Sequence, residues 1–96
     1  MAIVSLYPPV KGLTYRWFIY RNSGAPHTAT VLEGERPATE ADAAKRIEQL
    51  AREQPGETFG YGFSTPEVPQ ANTAVSECRY VDGVFRLTSR IADMAA

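Results

Sequence analysis

The sequence predicts an α+β domain in which a single helix packs on one face of a mainly antiparallel sheet of four or five strands. Residues 39–54 place apolar side chains at helical spacing, and Thr39 with Asp42 three positions later is typical of a helix N-terminus. Most of the remaining chain alternates between apolar and polar residues, with turn signals between the runs, as antiparallel strands do. Because 96 residues suffice for one hydrophobic core, we expect residues 1–96 to form a single domain.

The strands are predicted from local composition and give the element order ββ(β)-α-βββ. Residues 13–21 are rich in aromatic and β-branched types, which favour strands. Residues 2–7 form a shorter apolar run that two prolines end, and two further prolines within 65–73 predict a loop. The other strands are expected at 27–33, 57–64, 74–81 and 84–91.

The last two strands are predicted to form a hairpin, because Asp82-Gly83 is a strong signal for a two-residue turn. The turn pairs Val81 with Val84, and the register then pairs Arg79 with Arg86, Cys78 with Leu87, Val75 with Arg90 and Ala74 with Ile91. One face is then apolar and is expected to line the core; it carries Ala74, Cys78, Tyr80, Phe85, Leu87 and Ile91. The other face carries Glu77, three valines and the arginines.

Charge is nearly balanced overall but is unevenly distributed. The formal net charge is −1, which gives no general attraction to nucleic acid or to acidic membranes. Residues 1–32 contain three basic residues and no acid, whereas residues 33–57 contain seven acids and four basic residues. The helix side is therefore expected to be acidic and the first strands basic.

Neither a catalytic nor a metal-binding constellation is recognisable, so we expect a protein that is not an enzyme and has no cofactor. Cys78 is the single cysteine and His27 the single histidine, so neither a disulfide framework nor a metal-ligand cluster is expected. The first residues lack the features of a signal peptide, and no run approaches the ~20 apolar residues of a membrane span. A cytoplasmic location is the expectation.

Bulky residues on both faces of strand 13–21 are the most informative feature. Trp17 and Ile19 lie on one face, and Phe18 and Tyr20 lie with Arg16 on the other. One helix covers one face of a sheet, so Phe18 and Tyr20 are either exposed or covered by strand coiling and the N-terminal segment. Exposed aromatic residues among arginines are the composition of an interface core.

The predicted hairpin also places Arg79 directly opposite Arg86, with Arg90 further along the same face. Like charges in this position destabilise a sheet by roughly 0.2–1 kcal/mol unless something neutralises them. Either Glu77 lies close enough to do so and the face is merely solvated, or the arginines form a row of donors for carboxylates or phosphates of a partner.

We therefore predict a non-catalytic protein-binding module that acts through the sheet face opposite the helix. The predicted contact residues are Arg16, Phe18, Tyr20, Arg79, Arg86 and Arg90. The partner is expected to be another protein or a second copy, and neither a membrane nor a small-molecule substrate. The alternatives are a module for single-stranded nucleic acid that uses the same aromatic and arginine side chains, and a small homodimeric structural protein.

In element order the chain is similar to many short proteins encoded by phages and other mobile elements, including some anti-CRISPR inhibitors. This resemblance lies in the hairpin, helix and strands layout. It implies an accessory or inhibitor protein that covers a surface of a larger host complex.

Overall fold

Five antiparallel strands and one helix make up the part of the chain that the structure describes, in the order ββ-α-βββ. This structure is a computed structural model that describes residues 7, 9–22 and 29–93, and for residues 69–72 and 88–93 the backbone alone. The elements are β1 Arg16–Asn22, β2 Ala29–Val31, α1 Glu40–Glu53, β3 Thr58–Thr65, β4 Val68–Val81 and β5 Val84–Asp93. The strands form one sheet in the spatial order β2-β1-β3-β4-β5. The predicted fold class is confirmed, whereas the strand expected at 2–7 falls, except for Tyr7, outside the described residues.

The helix forms where its spacing predicts it. Thr39 is the N-cap, and its Oγ1 accepts a hydrogen bond from the backbone nitrogen of Asp42 at 3.1 Å, which satisfies one of the free donors of the first turn. The helix ends before Pro55, which cannot continue it. Its apolar stripe is buried against β1, β3 and β4 and consists of Ala43, Ile47, Leu50 and Ala51.

The core lies between this stripe and the near face of the sheet. Rings dominate it because alternate residues of β1 and β3 point toward the helix. Phe59, Tyr61 and Phe63 are all buried there, as their spacing predicts, and Trp17 packs edge-on against two of them. The remaining buried members of the cluster are Ile19, Val75 and Cys78.

Two tyrosines attach to the N-terminal end of the helix. The hydroxyls of Tyr7 and Tyr61 both donate to Oε2 of Glu40, at 2.5 and 2.8 Å. Burial, then the hydrogen bond to the Glu40 carboxylate, raises the pKa of Tyr61 well above its ordinary value, and the bond to Glu40 is the main cause of the raised pKa of Tyr7. The contact ties the chain before β1 to the helix.

The terminal hairpin has the predicted register over most of its length. Asp82 and Gly83 have φ values of 53° and 77°, as a type I′ turn requires, and the pairs from Val81 and Val84 to Ser76 and Ser89 are those predicted. Further along the prediction is wrong, because the ladder is irregular between Ser76 and Ala74.

This irregularity changes which residues of β4 face the helix. Ala74 pairs with Ala92 instead of Ile91, and on the other side it pairs with Gly62. Val75, predicted to face away from the core, is buried under the helix, and Ala74 takes the opposite face. A β-bulge has this effect, since an extra residue in one strand shifts the alternation of its side chains.

The loop predicted over 65–73 is also wrong. A turn at Pro66 and Glu67 joins β3 to β4, and β4 already begins at Val68. The ladder passes from the Thr65–Val68 pair directly to the Ser64–Asn72 pair. The intervening residues, 69–71, therefore lie outside the pairing with β3, where proline can be accommodated although it lacks a backbone donor.

Leu87 is the clearest error in the predicted core. It pairs with Cys78 as expected, yet it is 65% exposed, whereas Cys78 is buried. The helix backbone lies over β1, β3 and β4 and not over β5. On β5 the nearest cover is the guanidinium of Arg52 in the last turn of α1, which lies 4.7 Å from the centre of the Phe85 ring.

Candidate protein-binding face

The face of the sheet that points away from α1 is called the open face here, and the register arranges its residues in rows across the strands. Four rows follow one another along the strands. The first row contains Asn22, Thr58, Arg79 and Arg86, and the second contains Tyr20, Gly60 and Glu77. The third row contains Phe18, Gly62 and Ala74, and the fourth begins with Arg16 and Ser64. The predicted contact residues therefore share a face but are spread over four rows. At about 3.3 Å per residue along a strand, the Arg79 row lies ~13 Å from the Phe18 row.

Tyr20 is buried, so the expectation that its ring is exposed is wrong. Only 1% of its surface is accessible. Its ring lies over Gly60 of the neighbouring strand, and a Cβ atom added at Gly60 would overlap that ring. Because glycine leaves the space above its own backbone empty, β3 provides a recess that the Tyr20 ring fills.

Phe18 occupies the equivalent position one row further along. Its ring lies over Gly62, where an added Cβ would stand 2.9 Å from the ring edge. It is half-buried, and its ring centre lies 6.3 Å from that of Tyr20. Phe18 therefore retains exposed ring surface, while Tyr20 supports it from the side.

Glu77 is a buried acid on this otherwise basic face. It is 8% exposed, and its Oε2 accepts hydrogen bonds from the Tyr20 hydroxyl at 2.5 Å and from Nδ2 of Asn22 at 3.5 Å. Both donors belong to β1, so these bonds cross the intervening strand β3. A buried carboxylate is costly unless such donors satisfy it.

Arg79 and Arg86 are directly opposite each other, as predicted, and both side chains are exposed. Among the described side chains neither guanidinium forms an ion pair, so Glu77 does not neutralise them by direct pairing. Together with Thr58, Glu77 and Cys78 they line a shallow depression of about 240 Å³. The arrangement presents two exposed cations side by side at one end of the open face.

Arg16 lies at the opposite end of the open face and is also exposed. Nearby Glu67 has a lowered pKa, mainly because its carboxylate accepts a hydrogen bond from the backbone nitrogen of Thr14, and to a smaller extent because of the charge of Arg16. The positive charge of Arg16 is therefore partly offset by an acid of its own chain, Glu67. It is a weaker candidate contact than Arg79 and Arg86.

The side chains of two residues that the sequence analysis considered, Arg90 and His27, are not described. Arg90 belongs to β5, beside the irregularity of the ladder, but its side chain is not among those described. His27 lies outside the described residues altogether. The contact set that the described side chains support is therefore Arg79, Arg86 and Phe18, with Arg16 at the margin.

Groups that could take part in chemistry are few in the described part of the chain. Burial, followed by the negative charge of Glu48, raises the pKa of the Cys78 thiol to about 11, so the thiol is protonated near neutral pH. Within residues 7, 9–22 and 29–93 no three His, Cys, Asp or Glu side chains come together as metal ligands would. In the same residues no helix has the length and apolarity needed to cross a membrane.

The recess for Tyr20 and the acid beneath it are features that sequence reasoning missed, although a signal existed. Strand β3 alternates large and glycine residues over Phe59–Phe63, and β1 carries large residues at every position over 17–20. Pairing the two in antiparallel register sets each glycine against a ring of the open face. The complementary sizes of Phe18 with Gly62 and Tyr20 with Gly60 would have indicated ring burial without a second layer.

Comparison with known proteins gives no relative for this chain. No protein-family model matches it, and neither a curated protein nor a solved structure is similar enough to count as a match. These comparisons therefore assign no function to the chain.

Proposed function

We propose that this chain is a non-catalytic protein-binding module whose open face docks on an acidic patch of a partner protein. The observation that carries the proposal is the side-by-side placement of Arg79 and Arg86, both exposed and without an ion-pair partner among the described side chains. Charge complementarity with a cluster of carboxylates is the chemistry that this placement favours.

A partner carboxylate would reduce the repulsion between Arg79 and Arg86 in the free chain. Two like charges directly opposite each other on a sheet destabilise it by roughly 0.2–1 kcal/mol. Arginine binds carboxylates through two parallel N–H donors, so one acidic side chain placed between Arg79 and Arg86 could accept from both. The hydroxyl of Thr58 lies in the same row and offers a further polar contact.

Phe18 adds an apolar contact on the same face, at some distance from the two arginines. Full burial of such a side chain contributes about 1.5–3 kcal/mol. Because the ring of Phe18 is half-buried in the free chain, a partner that covers it would gain only part of this energy. Gly62 below it and Tyr20 beside it hold the ring in place, so little side-chain entropy is lost when a partner covers it.

Single-stranded nucleic acid is the less favoured ligand. A strand of bases needs several exposed rings in a basic track, and Tyr20 is too buried to stack on a base. Glu77 also places an acid between the Arg79 row and Phe18. A protein partner requires neither a ring track nor continuous positive charge.

The partner that we propose is a surface of a larger complex. The element order is similar to that of many short proteins of phages and other mobile elements, including some anti-CRISPR inhibitors, and this resemblance implies a protein that covers a surface of a larger host complex. The open face suits that role, since the Tyr20 ring over Gly60 and its hydrogen bond to Glu77 make the middle of the face a preformed surface.

The experiment is an affinity isolation followed by titration calorimetry with the purified partner. The test variant carries Arg79→Glu and Arg86→Glu. The matched control carries Arg21→Glu and Arg36→Glu, two exposed arginines outside the open face. The proposal predicts that the wild type and the control bind the same protein and that the test variant loses at least about tenfold in affinity, or about 1.4 kcal/mol.

Equal affinity of the test and control variants would contradict the proposal. So would binding of single-stranded DNA whose affinity falls steeply with salt and whose salt dependence is reduced by Arg86→Ala, because that result indicates a nucleic-acid ligand.

A further inference from the structure

Strand β5 is a long sheet edge that the described part of the chain leaves uncovered. It runs over ten residues and pairs with β4 on one side, and none of the described strands pairs with its other side. The opposite edge, β2, has three residues, and short edge strands are one way in which proteins avoid unwanted pairing. Strand β5 contains no proline, and the contact that α1 makes with it is that of the Arg52 side chain with Phe85, near the turn.

The type I′ turn determines which backbone groups of β5 are available at this edge. The pair next to a two-residue turn, Val81 with Val84, exchanges both of its hydrogen bonds, and the pattern then alternates. The N–H and C=O groups of Val84 and Arg86 therefore point to β4. Those of Phe85, Leu87 and Ser89 point outward.

The side chain at the centre of this edge is also apolar. Leu87 is 65% exposed and lies on the helix side of the sheet, beyond the reach of α1. Outward-pointing backbone groups and an exposed leucine thus coincide at one residue. A strand added at β5 would form hydrogen bonds with these backbone groups and would cover the Leu87 side chain.

We propose that two copies of this chain pair antiparallel through β5, with the two-fold axis at Leu87. A register centred on Arg86 would set that arginine against its own copy, and one centred on Thr88 would set Arg86 against Arg90 of the second copy. Both are disfavoured, because like charges directly opposite each other repel. A register centred on Leu87 sets Arg86 against Thr88 of the second copy and each Leu87 against the other.

The strand itself favours Leu87 over the two neighbouring centres whose backbone groups point outward, Phe85 and Ser89. A pairing centred on Phe85 would use only residues 84–86 of β5, since the strand begins at Val84. Pairing of β5 with β4 is regular from Val84 to Ser89 and becomes irregular beyond it. A pairing centred on Leu87 uses mainly the regular part, whereas one centred on Ser89 would extend across the irregular part. Shared backbone hydrogen bonds require two strands of matching twist, which the regular part provides.

The dimer would have one continuous sheet of ten strands among the described elements. Because the axis is perpendicular to the sheet, both helices lie on one side, and the two Leu87 side chains meet in the gap between them. Both open faces lie on the other side. We commit to a second copy as the occupant because its own edge has the same outward backbone pattern, and in this register no arginine lies directly opposite another.

The test is the mass of the protein by light scattering as a function of concentration, for the wild type, Leu87→Lys and Val31→Lys. Val31 is an exposed valine on the opposite edge, so it controls for the added charge. We expect the wild type and Val31→Lys to approach twice the 10.6 kDa chain mass, and dimerisation of Leu87→Lys to be at least tenfold weaker. A monomeric wild type at high concentration, or an unaffected Leu87→Lys dimer, would overturn the proposal.

Amide hydrogen exchange of the wild type provides a second measurement that needs no variant. The amides of Phe85 and Leu87 should become protected as concentration rises, whereas those of Val31 and Thr30 on the other edge should not. Unchanged exchange at Leu87 across the dimer range would show that a different surface is used. Neither result depends on Arg79, so the dimer and the proposed partner binding are tested separately.

Discussion

The hydroxyl of Tyr20 donates a hydrogen bond to Oε2 of Glu77 at 2.5 Å and so joins β1 to β4 across the intervening strand. The ring that carries this hydroxyl lies over Gly60, which leaves room for it. This contact closes the middle of the open face, which has cations at one end and Phe18 further along.

Removing the Tyr20 hydroxyl should destabilise the fold. Tyr20→Phe leaves the ring in its recess but takes one donor from the buried Glu77 carboxylate, which should cost about 1–3 kcal/mol. Urea unfolding followed by circular dichroism measures the change. Tyr80→Phe is the matched control, because the Tyr80 hydroxyl forms no hydrogen bond with any described residue, and equal losses in the two variants would refute the role of the Tyr20–Glu77 contact.

Adding one methyl group at Gly60 should also be costly. The new Cβ of Gly60→Ala would overlap the ring of Tyr20 and stand 2.8 Å from Cγ of Glu77, so the sheet must shift. Overpacking of this kind costs about 1–3 kcal/mol. At Gly34 an added Cβ meets nothing within 4 Å, so Gly34→Ala should have little effect. If chemical denaturation gives both variants the same stability, the recess is not closely packed.

The Cys78 thiol should make the fold less stable at alkaline pH. Its pKa is raised from 9.0 to about 11 on folding, so its contribution is fully present below pH 9 and is lost as pH rises from 9 to 11, where the unfolded chain releases the proton more readily. The raised pKa values of Tyr7 and Tyr61 act in the same direction from about pH 10 upward.

A comparison with Cys78→Ala isolates the part of this loss that the thiol causes. The difference in unfolding free energy between the wild type and this variant should narrow as pH rises from about 8 to about 10.5. A difference that stays constant across that range would mean that the thiol ionises equally in the folded and unfolded chains.

The sequence-based prediction was accurate where one local signal decides the structure. Thr39 and the apolar stripe behind it locate the helix, and Asp82-Gly83 fixes the turn and the first six pairs of the hairpin. These features depend on neighbouring residues, so they can be read from the chain without knowing the tertiary structure.

The errors arose where distant elements decide the outcome. The burial of Tyr20 depends on which strand lies beside β1, and the exposure of Leu87 depends on how far the helix extends across the sheet. Val75 faces the core because β4 and β3 fall out of step at Gly62. Among the predicted contact residues, the opposition of Arg79 and Arg86 was correct because it follows from the turn alone.

The measurement that tests the central claim most directly is a map of amide and arginine side-chain chemical shifts during titration with a short poly-glutamate peptide. We predict that the shifts concentrate at Arg79, Arg86 and their row neighbour Thr58, and that they disappear in the Arg79→Glu and Arg86→Glu variant. Shifts confined to arginines outside the open face, such as Arg21 and Arg36, or no change at the Arg79 row at saturating peptide, would contradict the account.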